Sequence, residues 1–411
     1  MIPITLESAE NAEISKKRFF GIFHFFHTFS PFRLLASPKP IFRFFGLLYL
    51  VPTVLLMLFR FYWMLFQVDG EFLSFSWAES KMYGFFSMES AILTLSLGRM
   101  AWANSMGRFE NNLEALKCLR IEKTHKKKDD FRILYFRAAI SNIFLFFTFL
   151  LTSIYLAIHR KASFGDPNPS SWYWIIDLIT SILCGYSNFL FLPIHALRAH
   201  AITREFEIFN EELENADKEK KLENLPIIRG FGARQIKLFE IANSLTERIE
   251  RYMTWAPALS ILAFLMATYI ITEFGVKQFP ALYHVCLIAY VISGFIMSFA
   301  LMYPVAFIQE AMLATSHVLL NSTILQETND PLIFENYRMI LERSLHNRLT
   351  NNVLHVFSIT RKNVERLFFV HSVMIIIMVW TFELDDGIAK GFEGIGKMIM
   401  MMNMTGSHDN V

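Results

Sequence analysis

FFGLLYLVPTVLLMLFRFYWMLFQ, Phe44 to Gln67, carries a single charged residue, Arg60, in an otherwise apolar and aromatic run. A hydrocarbon core about 30 Å thick is crossed by about 20 mostly apolar helical residues, so this run reads as a membrane span. Pro52 does not argue against it, because helices in lipid tolerate proline kinks. The whole chain has the same character: of its 411 residues, 54% are hydrophobic and 18% charged, with a positive mean hydropathy. Soluble domains lie near 45–50% apolar and about 25% charged. A net charge of +2 is too small to point to a nucleic-acid partner.

Working outward from Phe44–Gln67, six further runs read as spans: Met82–Met106, Ile133–His159, Ser171–Leu197, Met253–Val276, Ala281–Ile308 and Phe368–Leu384. The second is the weakest, since it contains Glu89 and Arg99 and starts beside Lys81. Basic residues near span ends stay cytoplasmic. The segments before span one and after spans two, four and six carry 6, 8, 10 and 6 Lys/Arg, against 6 on the opposite side. The tract THKKKDDFR, Thr124–Arg132, falls in the second of these segments and marks the inner face. It also suits contact with anionic lipid, at about 1 kcal/mol per basic residue.

The expectation is therefore an all-α polytopic membrane protein of seven spans, N-terminus inside and C-terminus outside. Residues 1–43 form a cytoplasmic segment in which FFGIFHFFHTF (Phe19–Phe29), after Lys16-Lys17-Arg18, lies amphipathically at the membrane surface. Residues 44–384 form the helical domain, with long inner loops at 107–132, 198–252 and 309–367, and residues 385–411 form an extracellular tail. Two inner loops carry helical stripes: Leu238, Ile241, Leu245, Ile249 and Tyr252, then Tyr337, Leu341, Leu345, Leu349, Val353 and Val356. They predict that spans four to six continue past the bilayer and pack together; membrane-surface helices are the other reading. Glu211–Lys221 and Gln326–Pro331 read as polar turns between them. Cys118, Cys184 and Cys286 lie far apart and read as buried free thiols, with no metal or disulfide framework. No catalytic or cofactor motif is present. Asn321-Ser322-Thr323 and Asn403-Met404-Thr405 are glycosylation sequons, and only the second lies outside in this topology.

This plan resembles the insect gustatory and odorant receptor superfamily. The features that carry the resemblance are about 400 residues, seven spans, an inner N-terminus, short outer loops and long helical inner loops. The last span, FFVHSVMIIIMVWTFEL, lacks the Thr-Tyr…Gln-Phe signature of the insect members. The resemblance is therefore greatest to divergent nematode gustatory-receptor-like proteins. It implies a ligand-gated cation channel of the plasma membrane, assembled as a tetramer, with the last helix lining the pore and a small-molecule site in each subunit. A seven-span receptor with a cytoplasmic partner, and a transporter or scaffold, are the alternatives.

On that plan Val373, Met374, Ile377, Met378 and Thr381 form a candidate pore face, with Glu383, Asp385 and Asp386 as an acidic mouth that concentrates cations. The same face also suits lipid or a neighbouring helix. Tyr83, Phe86, Phe149, Tyr155, Trp174, Tyr269, Tyr283 and Tyr290 are candidate ligand contacts, although aromatic residues also gather in membrane-interface belts. Ionisable residues within spans are functional candidates because each costs about 2.5–3.5 kcal/mol at the bilayer centre. Glu89 and Asp177 meet that description, and either acid suits Arg60 as a partner.

Overall fold

The computed structural model describes residues 19–67, 71–121, 131–163, 171–247, 255–278, 281–346, 352–353, 357–374 and 376–377. Among these, the only strands are the two-residue pair Asn352–Val353 and Phe357–Ser358; the remainder is helix and short turns. Two short elements, α1 (Gly21–Phe29) and α2 (Phe32–Leu35), precede α3 (Pro40–Tyr62), which runs on as a π-helical turn at Trp63–Gln67. Pro40 opens α3 at a position where its missing N–H costs nothing. Next come α4 (Phe75–Trp102), α5 (Ser105–Lys117), α6 (Arg132–Ser163) and α7 (Ser171–Lys218). They are followed by α8 (Leu225–Glu247), α9 (Ala256–Gln278), α10 (Ala281–Leu320), α11 (Thr323–Glu327) and α12 (Pro331–His346). A last helix, α13, covers residues 361–374.

Among the described residues, five segments are long and apolar enough to cross a membrane: Pro40–Gln67, Arg132–Thr152, Ile175–Lys218, Ala256–Glu273 and Val285–Leu320. Their outward faces are apolar. On α6, Ile133, Phe136, Ile140, Ile143, Phe147 and Leu151 form an exposed stripe at helical spacing, and on α10 so do Leu282, Val285, Ile288, Ile292, Phe295 and Phe299. Exposed apolar stripes of this length suit lipid rather than water.

The weak second span is a continuous helix, α4, buried along nearly its whole length against α3, α7 and α9. Its low hydropathy has a physical cause. A helix surrounded by protein gains from small and hydroxylated residues that let its neighbours approach. A Cβ at Gly98 would fall 2.7 Å from Leu50 Cδ2 on α3. Thr94 Oγ1 donates to Ser187 Oγ at 2.7 Å, and Asn188 Nδ2 donates to Ser90 Oγ at 3.0 Å, tying α4 to α7. The helix also ends earlier than the sequence suggests. Asn104 adopts a left-handed conformation (φ 46°), so Met106 belongs to α5.

At the other end of the long helices, α7, α8, α10 and α12 pack into a second bundle continuous with the first. Its interior is held by charge and amide pairs. Arg120 pairs with Glu205 and Arg234 with Glu212, all four side chains buried. Asn210 Nδ2 donates to Ala311 O at 2.9 Å, and Asn210 Oδ1 accepts from Thr315 Oγ1, joining α7 to α10. Gln235 Nε2 donates to Ile340 O and Ser344 Oγ, joining α8 to α12.

Several local expectations need correction here. The buried stripe of α12 is Ile333, Tyr337, Ile340 and Ser344; Leu341 is half-buried and Leu345 is exposed. Val353 pairs in the β-ladder and not in a helix, because α12 ends among the described residues at His346. Glu211–Lys218 completes α7, and the turn comes later, at Lys220 (φ 56°). Cys118 is exposed and Cys286 half-buried; only Cys184 lies in the core. Leu238 and Ile241 are buried on α8 as expected, whereas the side chains of Leu245, Ile249, Tyr252, Leu349 and Val356 lie outside the described residues.

Candidate functional site

The site is built where α4, α6, α7 and α10 meet, near the end of α3. Four aromatic side chains from three helices converge there. Phe86 on α4 and Phe149 on α6 stack face to face, 4.3 Å between centroids and 14° between planes. Tyr290 on α10 stands edge-on to both, at 5.9 and 5.4 Å. Tyr83, one turn before Phe86, meets Tyr290 at 6.0 Å. Edge-to-face and offset-stacked pairs are the arrangements the ring quadrupole favours. All four are nearly or fully buried.

Charge enters from the adjoining helices. Arg60, near the end of α3, is 4% exposed and directs Nε to Asp177 Oδ1 on α7 at 2.7 Å. Its NH1 donates to Ser87 Oγ at 3.2 Å, and its guanidinium lies 5.1 Å from the Tyr83 ring. Of the two acids open to Arg60 on sequence grounds, the structure thus selects Asp177. Glu89 sits one turn beyond Phe86, fully buried, and neither carboxyl oxygen has a hydrogen-bond partner among the described residues. Tyr290 lies within electrostatic range of Glu89, Tyr83, Arg60 and Cys184.

The other candidate contacts divide. Tyr155 and Tyr283 form a neighbouring pair at 6.5 Å, with Phe75 5.7 Å from Tyr283. Tyr269 turns away and donates to Leu73 O at 2.7 Å, closing α9 over the start of α4. The side chain of Trp174 lies outside the described residues. Sequence reading passed over Ser87, Ser90 and Thr94, whose three- and four-residue spacing on α4 places a polar seam beside the rings. Cys184, which the sequence marks only as a buried free thiol, is buried at the same junction.

On α13, His371 stacks on Phe264 of α9 (4.1 Å, 20°), and Phe368 packs on Phe295 of α10 at 5.0 Å. That fixes one face of α13 against its own chain and turns the other outward. Val373 is half-buried, and Met374 and Ile377 are 46% and 50% exposed. Met378, Thr381, Glu383, Asp385 and Asp386 lie outside the described residues. Just before this helix's outward face, Arg361 bridges Glu365 (2.9 Å) and Glu310 on α10 (3.2 Å). The bonds to Arg361 hold the Glu365 carboxyl below its ordinary range. Among the described residues no His, Cys, Asp and Glu side chains cluster as a metal site.

The fold is that of a solved insect receptor. The structure of the olfactory receptor OR5 from Machilis hrabei superposes with a TM-score of 0.65 at 12% identity, covering 83% of this chain and 90% of that one. The structure of the same receptor in complex with eugenol superposes with a TM-score of 0.63 at 12% identity, covering 84% and 91%. The likeness to this insect receptor is one of fold and covers 83–84% of the chain. No curated protein matches by sequence. A family model described as "Caenorhabditis protein of unknown function, DUF267" matches residues 19–375, and the chain belongs to that nematode family.

Proposed function

We propose that this protein is a chemosensory-type receptor of the plasma membrane that acts as a ligand-gated cation channel subunit. The observation that carries the reading is the likeness in fold, over 83% of the chain, to an insect olfactory receptor. The complex of that receptor with eugenol makes a small organic ligand the natural expectation here. In this proposal α4 and α13 count with the five apolar helices as seven spans. The N-terminus and the second bundle lie in the cytoplasm, where the inner-side bias of Lys and Arg puts them. Four subunits surround one pore lined by α13. The apolar Met374 and Ile377, 46% and 50% exposed, suit that role as a hydrophobic pore lining. The ligand site is the cluster of Phe86, Phe149, Tyr83 and Tyr290, which combines an apolar body with few polar groups, as small-molecule sites do.

The test uses the full chain reconstituted in planar bilayers, with a panel of small aromatic compounds applied to the outer side. The reading expects an evoked cation current from particles of fourfold symmetry. A monomeric particle, or a glycan at Asn321 in place of Asn403, would refute it, since the second outcome puts the basic inner segments outside the cell.

A further inference from the structure

The rings and the Arg60–Asp177 pair leave one group at the junction unaccounted for. Arg60 and Asp177 neutralise each other at 2.7 Å. Glu89 is then a second carboxyl with no basic partner among the described residues, fully buried, with both oxygens lacking hydrogen bonds. A buried acid of this kind is costly unless a cation or donor reaches it. The surroundings are those that stabilise a cation. The aromatic faces of Phe86, Phe149, Tyr83 and Tyr290 lie around the junction, each able to attract a cation centred within about 6 Å. The Tyr290 hydroxyl has no hydrogen-bond partner among the described residues either, so it has an oxygen to offer an N–H donor.

We infer that the site selects protonated amines, with Glu89 as counterion and the four rings as the cage around an apolar or aromatic body. The inference rests on the ligand site proposed above and adds its chemical class. An ammonium centre suits each of these groups: it neutralises Glu89, is a donor for the carboxylate and Tyr290 oxygens, and is attracted by aromatic faces. A neutral alcohol of the same shape fits the apolar part and can donate one hydrogen bond, but it brings no charge to Glu89 or to the ring faces. Entry requires the Phe86–Phe149 stack to part, which makes that stack the element a ligand would displace.

The experiment measures thermal unfolding of the full chain in lipid nanodiscs with 2-phenylethylamine and, as its neutral counterpart, 2-phenylethanol. The amine is expected to bind roughly ten- to thirtyfold more tightly than the alcohol, a factor within the range that a charge-assisted hydrogen bond to Glu89 supplies. Glu89→Gln should abolish that preference by weakening amine binding. It should also raise the unfolding temperature of the ligand-free chain, because it removes an unpaired buried carboxyl. Glu89→Asp keeps the charge and should keep part of the preference. Equal binding of the two probes to the unaltered chain overturns the inference while leaving the site standing. So does an amine preference that survives Glu89→Gln. A lower unfolding temperature for ligand-free Glu89→Gln overturns it by giving Glu89 a structural role. Failure of both probes to shift unfolding, with Phe149→Leu also silent, overturns the site itself.

Discussion

Breaking the Arg60–Asp177 pair tests whether the junction of α3, α4 and α7 is held by charge. The two groups come from residues 117 apart in sequence, with side chains 4% and 12% exposed. Removing one member of a buried pair costs about 3–5 kcal/mol, because the other charge stays buried without compensation. The slight exposure of Asp177 puts the cost of stranding it near the lower end, about 3 kcal/mol. Arg60→Met also loses the bond to Ser87, about 1 kcal/mol. It further loses the contact with the Tyr83 ring, about 0.5–1 kcal/mol. Arg60→Met should therefore cost about 4.5–5 kcal/mol, and Asp177→Leu, which strands the more deeply buried Arg60, about 3–5 kcal/mol. The double variant replaces a buried pair by apolar groups and should fall short of the summed losses by about 2–3 kcal/mol. The assay is unfolding by SDS in mixed micelles, followed by helical circular dichroism, for the parent and all three variants. Losses that add to within about 0.5 kcal/mol would show the two residues acting independently, and the charge argument for this junction would fail.

Two glycines should respond in opposite directions. A Cβ at Gly230 on α8 meets nothing within 4 Å, so Gly230→Ala should stabilise the chain by about 0.5–1 kcal/mol. At Gly46 the same atom falls 2.9 Å from the backbone nitrogen of Leu35, so Gly46→Ala should destabilise by about 1–3 kcal/mol through forced separation of α2 and α3. The same micelle assay reads both. The clamp between α10 and α13 should depend on acid. Because Arg361 holds the folded-state pKa of Glu365 below its ordinary value, the contact contributes fully above the ordinary carboxylate range. It is lost only as pH falls through the lower, folded-state value. Hydrogen exchange at residues 361–366 should therefore stay slow at pH 5 and quicken only in stronger acid. Quickening already between pH 6 and 5 would refute the clamp.

How much of this was legible beforehand differs from element to element. Hydropathy is a property of continuous runs, so the segments beginning at Pro40, Arg132, Ile175, Ala256 and Val285 were readable one by one, as was the tendency of α7 and α10 to run on past any bilayer. The strength of the signal at α4 was not. Its neighbours are other helices, and the Ser, Thr and Gly residues that lower its hydropathy are what close packing requires. Periodicity placed Tyr337 on the buried side of α12 but carried the stripe too far, because a helix stop without glycine or proline leaves little trace. Composition and spacing by themselves established a helical membrane chain, its basic bias, and a short inventory of aromatic and ionisable residues within the spans. Only the tertiary structure decided which of these meet. Phe86, Phe149 and Tyr290 lie on three separate helices, and their contact depends on helix rotation and depth, which no single run encodes. The choice of Asp177 over Glu89 as the partner of Arg60 is of the same kind. Charge pairing is settled by distances of a few ångströms between helices, whereas the sequence specifies order along one chain.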